Sequence, residues 1–184
     1  MPILVSMLRG VNLGVHNRIK MDDLRALYES LKLENPRSYV QSGNVIFRTK
    51  EKNGPQLARK IQGAIQKKFG CCPEIILRTT EEMRKTIAAN PFPERTKLAP
   101  AKVLVTFLAG KPPGEAAANL DKFKGLPEEL HLNGRELYIY FPNGAGRSKL
   151  PWSSVDKLLK VTGTARNWNS VQAMLAIAEE MEGK

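Results

Sequence analysis

Three basic side chains with two glycines and two asparagines stand close together near the start of the chain, in LRGVNLGVHNRIK, Leu8 to Lys20. Arg9, Arg18 and Lys20 supply positive charge, and Asn12 and Asn17 supply side-chain hydrogen bonds. Gly10 and Gly14 give the backbone the freedom that lets amides converge on an anion. The chemistry that such a loop suits is the holding of phosphate. It is neither a Walker A loop nor a dinucleotide fingerprint, and Asp22 and Asp23 in the next segment would repel a second anion.

A second basic stretch rich in glycine, PNGAGRSKL (Pro142 to Leu150), runs into a helix, whose free amides favour anions. Arg147 and Lys149 add charge, and Ser148 can cap the helix or donate to a bound phosphate. A third stretch, TARNWNSV (Thr164 to Val171), surrounds Trp168 with Arg166, Asn167 and Asn169. Asn169 is expected to cap the final helix, with Trp168 as its staple against Ala173, which leaves Arg166 and Asn167 free to bind. The ligand-binding set read from these stretches is Arg9, Asn12, Arg18, Lys20, Arg147, Ser148, Lys149, Arg166 and Asn167.

Covalent and metal chemistry find little support. Ser42 and Ser148 have no His and Asp partners at informative spacing, and no catalytic residue is assigned. The two histidines, His16 and His131, lie in no HExxH pattern, and no metal or other cofactor is expected. Cys71 and Cys72 are adjacent, which suits neither an ordinary disulfide nor the spaced pairs that hold zinc, so they read as small apolar residues entering a strand.

The net charge of +11 over 184 residues raises the concentration of anions around the molecule. It is uneven: 17 Lys and Arg against 9 Asp and Glu precede Lys97, with 12 against 9 from there on. No apolar run approaches the roughly 20 residues that span a bilayer, and MPILVSMLRG has no basic region ahead of its apolar segment. A cytoplasmic location without a membrane partner is expected.

The elements that must position these loops recur in one order. Periodicity predicts a strand over 3–8, a helix over 21–33, strands over 38–41 and 45–48, a helix over 55–69, a strand over 74–78 and a helix over 81–89. Leu24, Leu27, Tyr28 and Leu31 line one face of the first helix; Leu57, Ile61, Ala64, Ile65 and Phe69 line one face of the second. Beyond the proline-broken NPFPERTKLAP, LVTFLAG (Leu104 to Gly110) echoes LVSMLRG (Leu4 to Gly10). A helix over 115–123, strands over 129–132 and 136–141 joined at Asn133-Gly134, a helix from Trp152, a strand over 164–167 and a last helix follow. Thr79-x-x-Glu82 and Asn169-x-x-Gln172 both read as capping boxes. The reading is an α+β duplication of two ferredoxin-like βαββαβ subdomains in tandem, 1–95 carrying the long basic loop 9–20 and 96–184 without it. The second half spans the matching connection with the short AGKPPGE, so the long loop is an addition that the scaffold does not require.

The blocks LLRG-type strand end, N-x-G with a basic loop, YVQSGNVIF, G-R-S-K-L and T-A-R-N-W-N-S-V resemble those of the bacterial domain-of-unknown-function family 1697, almost from end to end. The positions that carry the likeness are Arg9, Gly10, Asn12, Gly14, Gln41, Ser42, Gly43, Asn44, Ser148, Lys149, Leu150, Arg166, Asn167, Trp168 and Asn169. Here Val15-His16 stands where a glycine commonly follows Gly14. The resemblance implies two ferredoxin-like subdomains that exchange their first strands, and no established activity. Such an exchange would bring the loops around Arg9 and Lys149 together.

Three functions follow as expectations: binding of a phosphate-bearing small molecule or nucleic acid through a basic face, an enzyme acting on a small anionic substrate, or a protein-interaction module. Tyr138 and Tyr140 alternate in YIYF and are expected to join a core layer, which makes phosphate contact a better expectation than sequence-specific RNA reading.

Overall fold

The computed structural model describes residues 1–183 and divides into two compact units. In the first, β1 (Ile3–Leu8), β2 (Glu34–Tyr39), β3 (Asn44–Arg48) and β4 (Ile75–Thr79) form an antiparallel sheet in the order β2-β3-β1-β4. All six residues of β1 are buried, as an apolar central strand covered on both faces requires. Leu4, Leu8, Val45, Phe47 and Ile75 turn one sheet face towards α1 (Met21–Ser30) and α2 (Gly54–Phe69), which bury Leu24, Leu27 and Tyr28, and Leu57, Ile61 and Ile65. Each such side chain contributes about 1.5–3 kcal/mol when fully buried. Asn53 caps α2 by accepting from the Gln56 amide at 3.0 Å, Pro55 stands in its first turn, and Gly70 ends it at φ 74°.

The second unit repeats that order. Strands β5 (Val103–Leu108), β6 (Glu129–Asn133), β7 (Glu136–Tyr140) and β8 (Gly163–Asn167) are arranged β6-β7-β5-β8, again antiparallel. Leu108, Leu137, Ile139 and Phe141 pack with Leu120 and Phe123 and with Val155 and Leu159 of α6 (Trp152–Leu159). The chain is thus an α+β protein of two tandem ferredoxin-like subdomains.

Several boundaries differ from expectation. Strand β2 starts at Glu34, because an edge strand absorbs Pro36 with a register shift between Glu34 and Arg37. Within NPFPERTKLAP, read as proline-broken, a short helix forms, α4 (Pro93–Leu98), with Pro93 in its first turn, where proline is tolerated. The helix expected over 115–123 is one α turn, α5 (Ala116–Asn119), followed by a 3₁₀ turn, Leu120–Phe123. The β6–β7 turn has Gly134 and Arg135 at its centre, with positive φ (59°) at Gly134 alone; Asn133 still pairs with Glu136 in the ladder.

The first strands are not exchanged. Strand β1 bonds to β3 on one side and β4 on the other, from Ile3↔Arg48 and Leu4↔Thr79 onward, and the ladder continues past it through the amides of Leu8 to Gly43 and Arg9 to Glu74. Both hydrogen-bonding edges of β1 are filled by its own half, which leaves no ladder for a foreign strand. The ground for expecting the loops around Arg9 and Lys149 to converge falls with the exchange.

The trailing helices follow another course. The first unit comprises residues 1–84 and those from Ala173 onward, while the second takes Lys85 to Gln172. The boundary therefore falls inside α3 (Thr80–Ala88) and inside α7 (Trp168–Glu182). Within the first unit the back of α7 is fastened by Arg48 to the Met181 carbonyl, by Arg37 to Glu180 at 2.8 Å, and by Arg84 to Glu179 at 2.8 Å and to Glu182. Within the second, the Tyr138 hydroxyl donates to the Thr86 carbonyl at 2.7 Å. No helix among the described residues is long and apolar enough to cross a membrane.

Candidate functional site

The opening loop, 9–20, is anchored at both ends by apolar side chains, since Val11 and Ile19 are buried in the core of the first unit. Between them Asn12, at φ 54°, makes three hydrogen bonds through one side chain. Its oxygen accepts from the Ile19 amide at 2.7 Å, and its nitrogen donates to the Ile19 carbonyl at 3.0 Å and to the Gln41 carbonyl at 2.7 Å. Asn17, also at positive φ, donates from its side chain to the Gly10 carbonyl, and the Asn12 amide bonds to the Asn17 carbonyl. The connection of a dozen residues is thus tied across its base by both side-chain and backbone hydrogen bonds.

The turn between β2 and β3 is its neighbour. A Cβ built on Gly43 (φ 74°) would stand 2.5 Å from Val11 Cγ2 and 2.9 Å from Leu8 Cβ, so only glycine lets turn and loop approach this closely. Val40 lies at φ 49°, a conformation that costs a β-branched residue of order 1–3 kcal/mol and that clusters at functional sites. Spacing gives no sign of this strain. The apolar residues Val11 and Ile19 at the loop's two ends were the readable sign of its anchoring.

Around this frame the charges stand outward. Arg9, Arg18 and Lys20 are exposed, as is His16. Arg9 has Glu74 at 3.9 Å, and Arg18 Nε donates to the Gly14 carbonyl at 3.2 Å. Asp22, in the first turn of α1, is paired with Arg25. Leu13 and Val15 at the loop's tip are 69% and 73% exposed.

The other five residues of the sequence-derived set belong to the second unit. Arg147 and Lys149 are exposed. The Ser148 hydroxyl donates to Glu128 Oε1 at 2.6 Å and accepts from the Leu150 amide at 3.0 Å, so its polar capacity goes to shaping the turn before α6. Arg166 is only 8% exposed and donates to Thr164 Oγ1 at 2.7 Å and the Ala165 carbonyl at 2.9 Å. Burial lowers its pKa to about 10, which leaves it charged at neutral pH. Its place opposite Val105 is the place of buried Arg78 opposite Val5 in the first sheet. Asn167, not Asn169, caps α7: its side-chain oxygen accepts from the Ser170 amide at 2.9 Å. Asn169 lies inside the helix, whose first residue Trp168 is buried. Tyr138 is buried as expected, whereas Tyr140, expected in the same layer, is only half-buried and has the Arg95 guanidinium 4.8 Å from its ring centre.

Cys71 and Cys72 are free, with burial pushing the Cys71 thiol above its ordinary range. Among the described residues no group of three His, Cys, Asp or Glu could hold a metal ion.

Residues 1–138 match the model of a family described as proteins of unknown function, DUF1697. No curated protein matches the sequence. The fold is similar to that of the conserved bacterial protein SP0830 from Streptococcus pneumoniae, with a TM-score of 0.66 at 20% identity, over 96% of this chain and 98% of that one.

Proposed function

From the premise that this chain belongs to the DUF1697 family, whose description names no activity, we propose that it binds the phosphate backbone of nucleic acid through Arg9, Arg18 and Lys20. The observation that carries the reading is the bracing of loop 9–20 by the three hydrogen bonds of Asn12, which holds a cationic loop in shape before any ligand arrives. A pre-ordered loop loses less conformational freedom on binding than a mobile one. The loop is exposed along its tip, from Leu13 to Arg18, which suits contact with an extended polyanion. The loop carries no Phe, Tyr or Trp on which bases could stack, and its three cations favour contact with phosphates over contact with bases. The net charge of +11 adds long-range attraction.

The test is fluorescence anisotropy with labelled single-stranded RNA and single- and double-stranded DNA over a range of salt. Arg9→Gln, Arg18→Gln and Lys20→Gln combined are expected to lower the slope of log K against log salt by about 2–3, with little dependence on base sequence. A control that removes the same charge elsewhere, Lys111→Gln with Lys122→Gln and Lys157→Gln, keeps most of the slope. Equal losses in both triple variants would refute a located site.

A further inference from the structure

The second unit contains a cleft of about 550 Å³, a size usual for small-molecule sites, with Phe92, Leu120, Phe123, Leu126 and Leu130 among its walls. Its polar lining holds three carboxylates, Asp121, Glu128 and Glu129, beside Lys124 and His131, an acidic balance that is unexpected in so basic a chain. Two of these carboxylates are neutralised locally, Asp121 by Lys124 at 2.9 Å and Glu129 by Arg95 at 3.3 Å.

Glu128 is different. It is only 7% exposed, its Oε1 accepts from the Ser148 hydroxyl at 2.6 Å, and its Oε2 is buried with no hydrogen-bond partner. Leaving a carboxylate oxygen buried and unpartnered is among the costliest arrangements in a folded protein. Such an orphan in the wall of a cleft of mixed polar and apolar lining is an acceptor waiting for a donor. The terminal torsion of a glutamate is soft, so a small rotation presents Oε2 to a donor in the cleft while the Ser148 hydroxyl follows Oε1.

We infer that this cleft binds a small organic cation, a primary amine or amidine on an apolar or aromatic body, with Glu128 as the acceptor of its charged N–H group. The apolar walls take the body of the ligand, and the carboxylate fixes its orientation. An amine supplies both the proton donor that Oε2 lacks and the opposite charge that Asp121 and Glu129 already have. A charge-assisted hydrogen bond of this kind is about twice as strong as a neutral one, which makes the neutral isostere of the ligand a sharp control. The site lies apart in sequence from loop 9–20 and does not depend on the function proposed for that loop.

The probe is benzylamine, followed by the backbone amide signals of Leu120 to Leu132 in an NMR titration, with benzyl alcohol as the neutral molecule of the same shape. Benzylamine is expected to shift these signals saturably, and benzyl alcohol to bind at least tenfold more weakly. Glu128→Gln, which keeps the bond to Ser148 but removes the charge, is expected to lose the same factor. Asp121→Asn, whose partner is Lys124, stays within about twofold of the parent, as expected for an already paired charge. Should Glu128→Gln fail to fold, Glu128→Asp takes its place, withdrawing the acceptor by one methylene with the same expected loss. Equal binding of amine and alcohol, no saturable shift at these amides, or an equal loss in Asp121→Asn would each overturn the assignment.

Discussion

The Asn12 side chain donates to the Gln41 carbonyl at 2.7 Å, joining the opening loop to the turn between β2 and β3. With two further bonds to Ile19 it closes the loop around itself, and its φ of 54° adds a conformational demand that asparagine meets better than alanine. Asn12→Gly is expected to lose the hydrogen bonds but keep the backbone, lowering stability by about 1–3 kcal/mol. Asn12→Ala should lose about 1 kcal/mol more, because alanine disfavours positive φ. Chemical denaturation gives both values, and hydrogen exchange at the Ile19 amide, which bonds to the Asn12 side chain, should accelerate in each variant.

The cap of α7 gives a second prediction. Asn167→Ala removes the acceptor for the Ser170 amide and is expected to cost about 0.5–2 kcal/mol. Asn169→Ala, within the first turn and exposed, should change stability by less than about 0.5 kcal/mol. Thermal or denaturant unfolding of the two variants side by side separates them, and the opposite ranking would restore Asn169 as the cap.

Alkaline pH gives a third. The Tyr28 phenol, buried and bonded to the Ser6 hydroxyl at 2.8 Å, is raised well above its ordinary value of 10.0 by desolvation. Tyr138 is raised in the same direction, by burial first and then by Glu136. Above pH 10 the unfolded chain releases these protons while the folded one keeps them, so the folded state binds more protons and stability falls as pH rises. Below pH 10 the two states are protonated alike and the effect vanishes. Denaturation midpoints at pH 8 and pH 11 should therefore differ less for Tyr28→Phe than for the parent. At pH 8 the same variant loses about 0.5–1.5 kcal/mol, because Ser6 is left without its partner.

Much of the scaffold was readable because periodicity and capping act locally. Strand β1 and helix α2 lie within a residue of where their apolar spacing puts them, and the Thr79–Glu82 capping box forms in both directions, at 2.8 and 3.1 Å. The cap of α7 was not readable from spacing alone, since Asn169-x-x-Gln172 satisfies the same pattern. What decides is the ladder: Thr79 is paired with Leu4 and Asn167 with Leu104, so in both sheets the last strand residue is also the cap and no connecting residue intervenes. Setting Arg78-Thr79 beside Arg166-Asn167 would have shown that register. The burial of Arg166 was equally hidden, because an arginine in a short polar segment carries no local mark of the strand that encloses it. Loop 9–20 was recognisable as an addition, but the role of Asn12 was not, since Gln41 lies 29 positions away and its carbonyl leaves no trace in residue type.

The division of the chain has a consequence for its birth on the ribosome. Because the first unit draws on residues from Ala173 onward, the sheet made earliest is the one that waits longest for its last component. The second unit, an uninterrupted stretch from Lys85 to Gln172, has all its parts as soon as that stretch has emerged. During synthesis the order of completion is therefore the reverse of the order of translation.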